Sequence, residues 1–241
     1  MTNRAVDGMT GKHAVITGAG RGIGLAIARR FAAAGAAVAL VSRTAAQVRS
    51  ACAEIAKEGG RAIALPADVS DAGAVTCMVD AAHREFGRID YLVNNAGIAP
   101  VAGIPEISLE DFDSLVATTI RGMHLCTRAV WPHMKAAGGG GIINISSMAS
   151  FDPFPGLAVY GAAKAFVNAY TKAIAIEGAA VGIRAYGIAP GAVETDMLRE
   201  AFPDYPGEKC LASDDIAALA ESLLSPACRH SSGQTIAIRK D

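Results

Sequence analysis

The chain reads as an α/β protein, a doubly wound parallel sheet in three layers, α/β/α, built as a single domain. Three observations say so. Apolar runs of strand length alternate with longer segments of helical period along nearly all of the 241 residues. The first run, His13 to Thr17, leads into Gly18-Ala19-Gly20-Arg21-Gly22-Ile23-Gly24 and then an alanine-rich helical stretch from Leu25 to Ala34. With 51% hydrophobic residues, a chain of this length can bury a large core, and no linker or long internal repeat divides it.

Taken in order, the strands fall near 12–17, 37–42, 61–66, 89–94, 141–146, 182–188 and 233–238. Helices fall between them near 22–35, 45–59, 71–87, 108–136, 157–180 and 213–225, with Thr44, Ser70 and Ser213 as candidate caps. Gly138 to Gly141 is expected to be a loop joining helix to strand, because the elements on either side belong to one alternation. Residues 1–10 are set apart as a polar N-terminal tail, and 11–241 as the domain. In such a sheet ligands bind beyond the carboxyl ends of the strands, where the strand order reverses.

The glycine turn is the first chemical signal. Glycines let backbone approach a ligand, and the amides that open a helix attract phosphate. The spacing Gly-x-Gly-x-x-Gly is not met, since Ile23 stands where the third glycine would fall; what is met is Thr-Gly-x-x-x-Gly-x-Gly, Thr17 to Gly24. A purely geometric turn is the plainer alternative. The second signal is Tyr160-Gly161-Ala162-Ala163-Lys164, which puts a phenol and an ammonium on one helix face. A cation beside a tyrosine favours the phenolate and pulls its pKa down from about 10, making a group that exchanges a proton with a substrate oxygen. Alone, the pair is as well explained by an exposed helix face.

Together with Asn94-Asn95-Ala96-Gly97 after the apolar run 89–93, and Ser147 thirteen residues before Tyr160, these motifs resemble the short-chain dehydrogenase/reductase family over roughly residues 10–238. The resemblance implies a Rossmann-like fold and reversible hydride transfer between a nicotinamide cofactor and a carbonyl or alcohol. It implies Ser147, Tyr160 and Lys164 as the catalytic set, with Lys164 also holding the nicotinamide ribose. It implies cofactor contacts at Gly18, Gly20, Arg21, Gly22, Ile23, Gly24, Asp68, Val69, Asn94, Ala96, Gly97, Pro190, Gly191, Val193 and Thr195. Ser147 could otherwise be a plain strand-end serine, and Asp68 a helix cap. At the end of the second strand no Asp or Glu stands to hold the ribose hydroxyls of NAD, whereas Ser42, Arg43 and Arg21 suit a 2′-phosphate. NADP(H) is therefore the preferred cofactor, with NAD(H) the lesser choice; the plainer alternative is that Arg43 only solvates a helix start.

Three departures from the family pattern stand out. Thr119 occupies the position of an asparagine that in relatives helps hold a water linking the lysine to solvent, which puts the proton relay in question. Tyr186 stands where many relatives carry asparagine, and the C-terminus lacks their Asp-Gly-Gly. Met148, Phe151, Phe154, Met197, Leu198, Phe202 and Tyr205 make the expected substrate wall mostly apolar, suited to an aliphatic or aromatic ketone, a 3-oxoacyl thioester, or a lid closing over cofactor. Asp152 could meet a cationic group or form a turn with Pro153.

The function expected is an NADPH-dependent ketone reductase; the alternative is a cofactor-binding regulator whose turnover is impaired by Thr119. A net charge of −1 with no basic stripe gives no reason to expect nucleic acid or an acidic membrane surface as partner. The expected location is cytoplasmic, with no leader in Met1–Thr10. Five scattered cysteines and five histidines show no metal-ligand spacing, so no metal is expected. Ala162, Ala165, Phe166, Ala169 and Ala173 resemble a face that relatives use to form homodimers or homotetramers, unless they pack on the sheet.

Overall fold

The computed structural model describes residues 9–240, so most of the tail, residues 1–8, lies outside the described residues. Seven strands, β1 (His13–Thr17), β2 (Ala37–Ser42), β3 (Arg61–Pro66), β4 (Tyr91–Asn94), β5 (Gly140–Ile145), β6 (Ile183–Pro190) and β7 (Thr235–Ile238), form one parallel sheet in the order β3-β2-β1-β4-β5-β6-β7. The order reverses between β1 and β4, which opens a crevice at their carboxyl ends. Eight α-helices connect the strands: α1 (Gly22–Ala33), α2 (Ala45–Lys57), α3 (Ala72–Phe86), α4 (Leu109–Leu115), α5 (Gly122–Ala136), α6 (Ala158–Gly178), α7 (Asp196–Ala201) and α8 (Ser213–Leu224). This is the Rossmann-like, three-layer architecture the alternation implies.

Both faces of each central strand are apolar, so successive residues enter different cores. Ala14, Ile16, Val38 and Leu40 pack with α1, α2 and α8, through Ile27, Phe31, Ile55 and Ile216. Val15, Ala39, Val41 and Leu92 pack with α3, α5 and α6, through Met78, Val130 and Ile174. No helix among the described residues is long and apolar enough to cross a membrane.

Several local expectations change. Gly140 and Gly141 belong to β5 and are not loop: the Gly140 amide donates to the Gly182 carbonyl at 3.2 Å and that of Gly141 to Asp90 at 2.9 Å. A Cβ on Gly141 would lie 2.4 Å from Leu224, so that glycine admits a neighbouring helix, whereas Gly138 (φ +82°) and Gly139 (φ +129°) form the expected loop. Thr44 precedes α2, but its side chain makes no capping bond. Asp71, not Ser70, caps α3, accepting from the Ala74 amide at 2.7 Å. Ser213 lies inside α8, where the Ala212 amide donates to Asp215 at 2.8 Å.

The expected long helix near 108–136 is continuous but contains a π-helical turn, Val116–Arg121, between α4 and α5. It opens at Ser108, whose hydroxyl accepts from the Asp111 amide at 3.0 Å. Tyr186 acquires a structural reading: it is fully buried, and its hydroxyl donates to the Cys228 carbonyl at 2.8 Å, while Arg184 donates to the carbonyls of Leu224 and Ser225. The phenol thus ties β6 to the turn after α8, a reach an asparagine lacks. Ala162, Ala165, Phe166 and Ala169 face outward on α6 and do not pack on the sheet.

Candidate active site

The site grows from the carboxyl ends of β1, β4, β5 and β6. At β1, Gly18 takes φ +64°, and a Cβ there would fall 2.8 Å from the Asn95 amide nitrogen; at Gly24 it would fall 2.4 Å from the Gly18 carbonyl oxygen. Neither position admits a side chain, so helix α1 starts hard against the strand end. No acidic side chain occupies its first turn, so its amides could hold a phosphate. Residues Gly20, Gly22 and Ile23 complete this turn.

Two residues outside the sequence-derived set hold the cradle together. The Thr17 hydroxyl donates to the Val93 carbonyl and accepts from the amides of Asn95 and Ala96 at 3.0 and 3.1 Å. The Asn95 side chain donates to the carbonyls of Thr17 and Gly18. Strands β1 and β4 are therefore pinned at the point where the crevice opens. Asn94 turns inward, donating to Asn144 at 2.8 Å and to Thr127 at 3.2 Å.

Beyond β2 the Ser42 hydroxyl accepts from the Thr44 amide at 3.1 Å, and Arg43 is exposed. Beyond β3, Asp68 accepts from the amide and hydroxyl of Ser70 at 2.8 and 2.7 Å; it is a loop anchor, not the α3 cap. Burial alone would raise the Asp68 pKa, but the Ser70 bonds and the charge of Arg43 outweigh it and hold the carboxyl below its ordinary value. Val69 is buried against Gly122. This end of the crevice fits an adenosine: a glycine cradle, a carboxylate at β3 and, at β2, a hydroxyl and a guanidinium in place of an acid.

Arg21 does not point there. Its guanidinium donates to Asp196 and Glu200 of α7, both at 3.1 Å, and the Glu200 bond first of all raises its pKa. Helix α7 was not expected from the sequence; Thr195 caps it, accepting from the Leu198 amide at 3.3 Å. Residues Pro190 to Val193 lead from β6 to this helix, with the Gly191 amide bound to the Ile238 carbonyl at 2.8 Å and Val193 bridged to Leu211.

The reactive groups meet above β5. Ser147 follows the strand and accepts from the Ala149 amide at 3.2 Å. Tyr160, one turn into α6, faces it, and Lys164 lies one turn further, its ammonium 5.7 Å from the centre of the phenol ring. Lys164 is only 5% exposed and donates to the Ile145 carbonyl at 2.7 Å. Burial lowers its pKa to about 8.

The expected acidification of Tyr160 is not found: burial pushes the phenol above its ordinary value, and the bond with Ser147 offsets this only in part. The competing effect is desolvation, which penalises the phenolate more than the surroundings favour it. Thr119, in the π-helical turn, is 3% exposed with no partner for its hydroxyl among the described residues. A Cβ on Gly97 would lie 3.5 Å from that hydroxyl and 3.7 Å from the Lys164 ammonium, so the two polar groups flank one spot. They also line one cavity of about 10 Å³, with Asn94 and Ala96.

Known proteins resemble this chain in sequence and in fold. The family model "short chain dehydrogenase" matches residues 12–206. D-threitol dehydrogenase of Mycolicibacterium smegmatis is 36% identical over 239 residues, 95% of this chain and 92% of its own. Among solved structures, a 3-ketoacyl-(acyl-carrier-protein) reductase from Brucella melitensis complexed with NADH is 37% identical with a TM-score of 0.90, covering 95% of this chain and 97% of that one. A short chain dehydrogenase from Burkholderia cenocepacia in complex with NADP is 33% identical with a TM-score of 0.89, covering 96% and 97%. The fold binds a nicotinamide cofactor in both forms, and the chain belongs to the short-chain dehydrogenase family.

Proposed function

We propose that this protein is an NADPH-dependent reductase of small carbonyl compounds, working reversibly on the matching alcohols. The observation that carries the reading is the meeting of Ser147, Tyr160 and Lys164 beside a glycine cradle pinned by Thr17 and Asn95. A reduced nicotinamide held by the glycine turn and Lys164 would supply hydride for the carbonyl carbon. The hydroxyls of Ser147 and Tyr160 donate to the carbonyl oxygen, where negative charge develops. Tyr160, protonated at neutral pH because burial raises its pKa, then gives up its proton to complete the alcohol. Lys164, charged below about pH 8, faces the phenol ring and limits the cost of the transient phenolate.

The preference for NADP(H) rests on the end of β2, where Ser42 and the exposed Arg43 stand with no carboxylate. A homodimer or homotetramer is supported by the outer face of α5 and α6. There His124 and the Tyr170 hydroxyl are hydrogen-bonded at 2.7 Å beside a groove of about 270 Å³, and Phe166 and Ile176 are exposed.

The test is NADPH consumption with a panel of ketones, aldehydes and quinones. Tyr160→Phe should lower kcat by about 1,000-fold while NADPH still binds. The pH dependence follows from the raised phenol: reduction uses the protonated form and stays flat through neutral pH. Oxidation uses the phenolate and should climb as pH rises toward the phenol's pKa. Binding of NADPH without turnover of any carbonyl compound would favour the regulatory alternative.

A further inference from the structure

The rim above the reactive groups carries information about what can enter. Three segments frame it: 95–107 after β4, 146–157 after β5, and 191–211 after β6. They are joined to one another. The Ala102 amide donates to the Gly156 carbonyl at 3.0 Å, and the rings of Phe154 and Phe202 meet at 6.1 Å.

Large apolar side chains stand open on this rim. Phe151 is 55% and Phe154 51% exposed, with Val101, Met197 and Tyr205 also in water. An apolar cluster of this size on a mouth, and not inside a core, is a binding surface.

The unpaired charge around it is mostly negative: of the seven carboxylates on the three segments, Glu194, Asp196 and Glu200 are bound by Arg199 and Arg21, which leaves Glu106, Asp152, Asp204 and Glu208 against Lys209. The first two segments contribute Glu106 and Asp152 and no basic residue; the third contributes five carboxylates against Arg199 and Lys209. Arg199 is consumed within its own segment, donating to both oxygens of Glu194 at 2.7 and 2.5 Å and to the carbonyls of Pro203 and Tyr205. Arg21, reaching in from the glycine turn, is held by Asp196 and Glu200. Lys240 is turned onto the Cys210 carbonyl, and Arg239 packs beside Gly191. Lys209 is left as the basic side chain of the three segments with no carboxylate bound to it.

We infer that the substrate is an uncharged, apolar carbonyl compound taken free from solution, and that this mouth selects against 3-oxoacyl groups carried on an anionic thioester carrier. This rests on the carbonyl-reductase reading and narrows it, removing the thioester option that the apolar wall by itself leaves open. The phosphates of coenzyme A, or the acidic surface of a carrier protein, would have to rest on like charge. The three rim segments offer such a carrier only Lys209 as an unpaired cation.

Acetoacetyl-coenzyme A, the uncharged N-acetylcysteamine thioester of the same acid, and benzyl acetoacetate carry the same reacting ketone and form the test. Expected is a kcat/KM at least about tenfold higher for the two uncharged compounds at low salt, with the gap narrowing as salt is raised. Glu106→Lys with Asp152→Lys should shrink the gap several-fold. Equal or better use of the coenzyme A thioester, or a gap indifferent to salt and to both substitutions, overturns the inference.

Binding separates this result from the catalytic reading. In the NADPH-loaded Ser147→Ala protein, calorimetry should show benzyl acetoacetate binding more tightly than acetoacetyl-coenzyme A. That preference without turnover in the unsubstituted protein would sink the reductase reading and leave this one standing. Turnover with the preference reversed, or no binding of the uncharged ester, would sink this one.

Discussion

The two halves of the crevice are built on different principles. Around the glycine cradle, the anchoring bonds end on backbone carbonyls or amides: Thr17 and Asn95 lock β1 to β4, and Gly24 abuts Gly18. Across the mouth, the substrate side is held by exposed ion pairs, Arg21 with Asp196 and Glu200, and Arg199 with Glu194, and by aromatic rings open to water. Buried bonds to backbone hold one geometry, whereas exposed ion pairs contribute little and rearrange cheaply. The first half is suited to a ligand of fixed shape, and the second to ligands that differ.

The contrast breaks most sharply at Gly24. Gly24→Ala would place a methyl 2.4 Å from the Gly18 carbonyl, and should weaken NADPH binding about a hundredfold while costing about 1–3 kcal/mol of stability; titration calorimetry and denaturant melts read both. A tolerated alanine would mean that the cradle is not rigid.

Next comes Arg43. Arg43→Ala should raise the Kd for NADPH about tenfold or more, as expected for loss of a charge-assisted bond, and leave that for NADH within about twofold. Equal losses for both cofactors would remove the argument for the 2′-phosphate.

Thr119 probes the boundary between the halves. If its hydroxyl is unpaired, Thr119→Val should stabilise the fold by about 1 kcal/mol, read as a shift in denaturation midpoint. A loss of stability instead would show that the hydroxyl is satisfied in solution. The smallest effect is expected on the substrate side: Arg21→Ala should change stability by less than about 1 kcal/mol yet speed amide exchange in α7, while Gly24→Ala leaves α7 exchange unchanged.

The same contrast explains what the sequence made legible. The strand positions and the glycine turn could be read because both depend on local requirements, apolar runs for a doubly covered sheet and glycines where no Cβ fits. Thr17 and Asn95 were missed although their signal was present: each is polar at a strand end, next to a residue already chosen. Helix α7 was readable from Thr195-Asp196, a cap followed by an acid, but had been assigned only to a wall. The direction of the Tyr160 pKa was not legible, because spacing along a helix says how near a cation is and not how much water is lost. Arg21 was read as a phosphate ligand because its chain neighbours are glycines; its partners lie 175 and 179 residues away. The π-helical turn left no mark in composition or period.

That turn, Val116–Arg121, carries one more residue than a regular helix would need to cover the same rise. Deleting a single position there would let the ladder close as an ordinary helix with both flanks kept in place, because the wider turn is what absorbs the extra residue. Phe112 and Leu109, both open to solvent on α4, would keep their bearing while α5 stayed seated on the sheet. One codon would thus regularise the helical turn that carries Thr119 while leaving α4 and α5 where they stand.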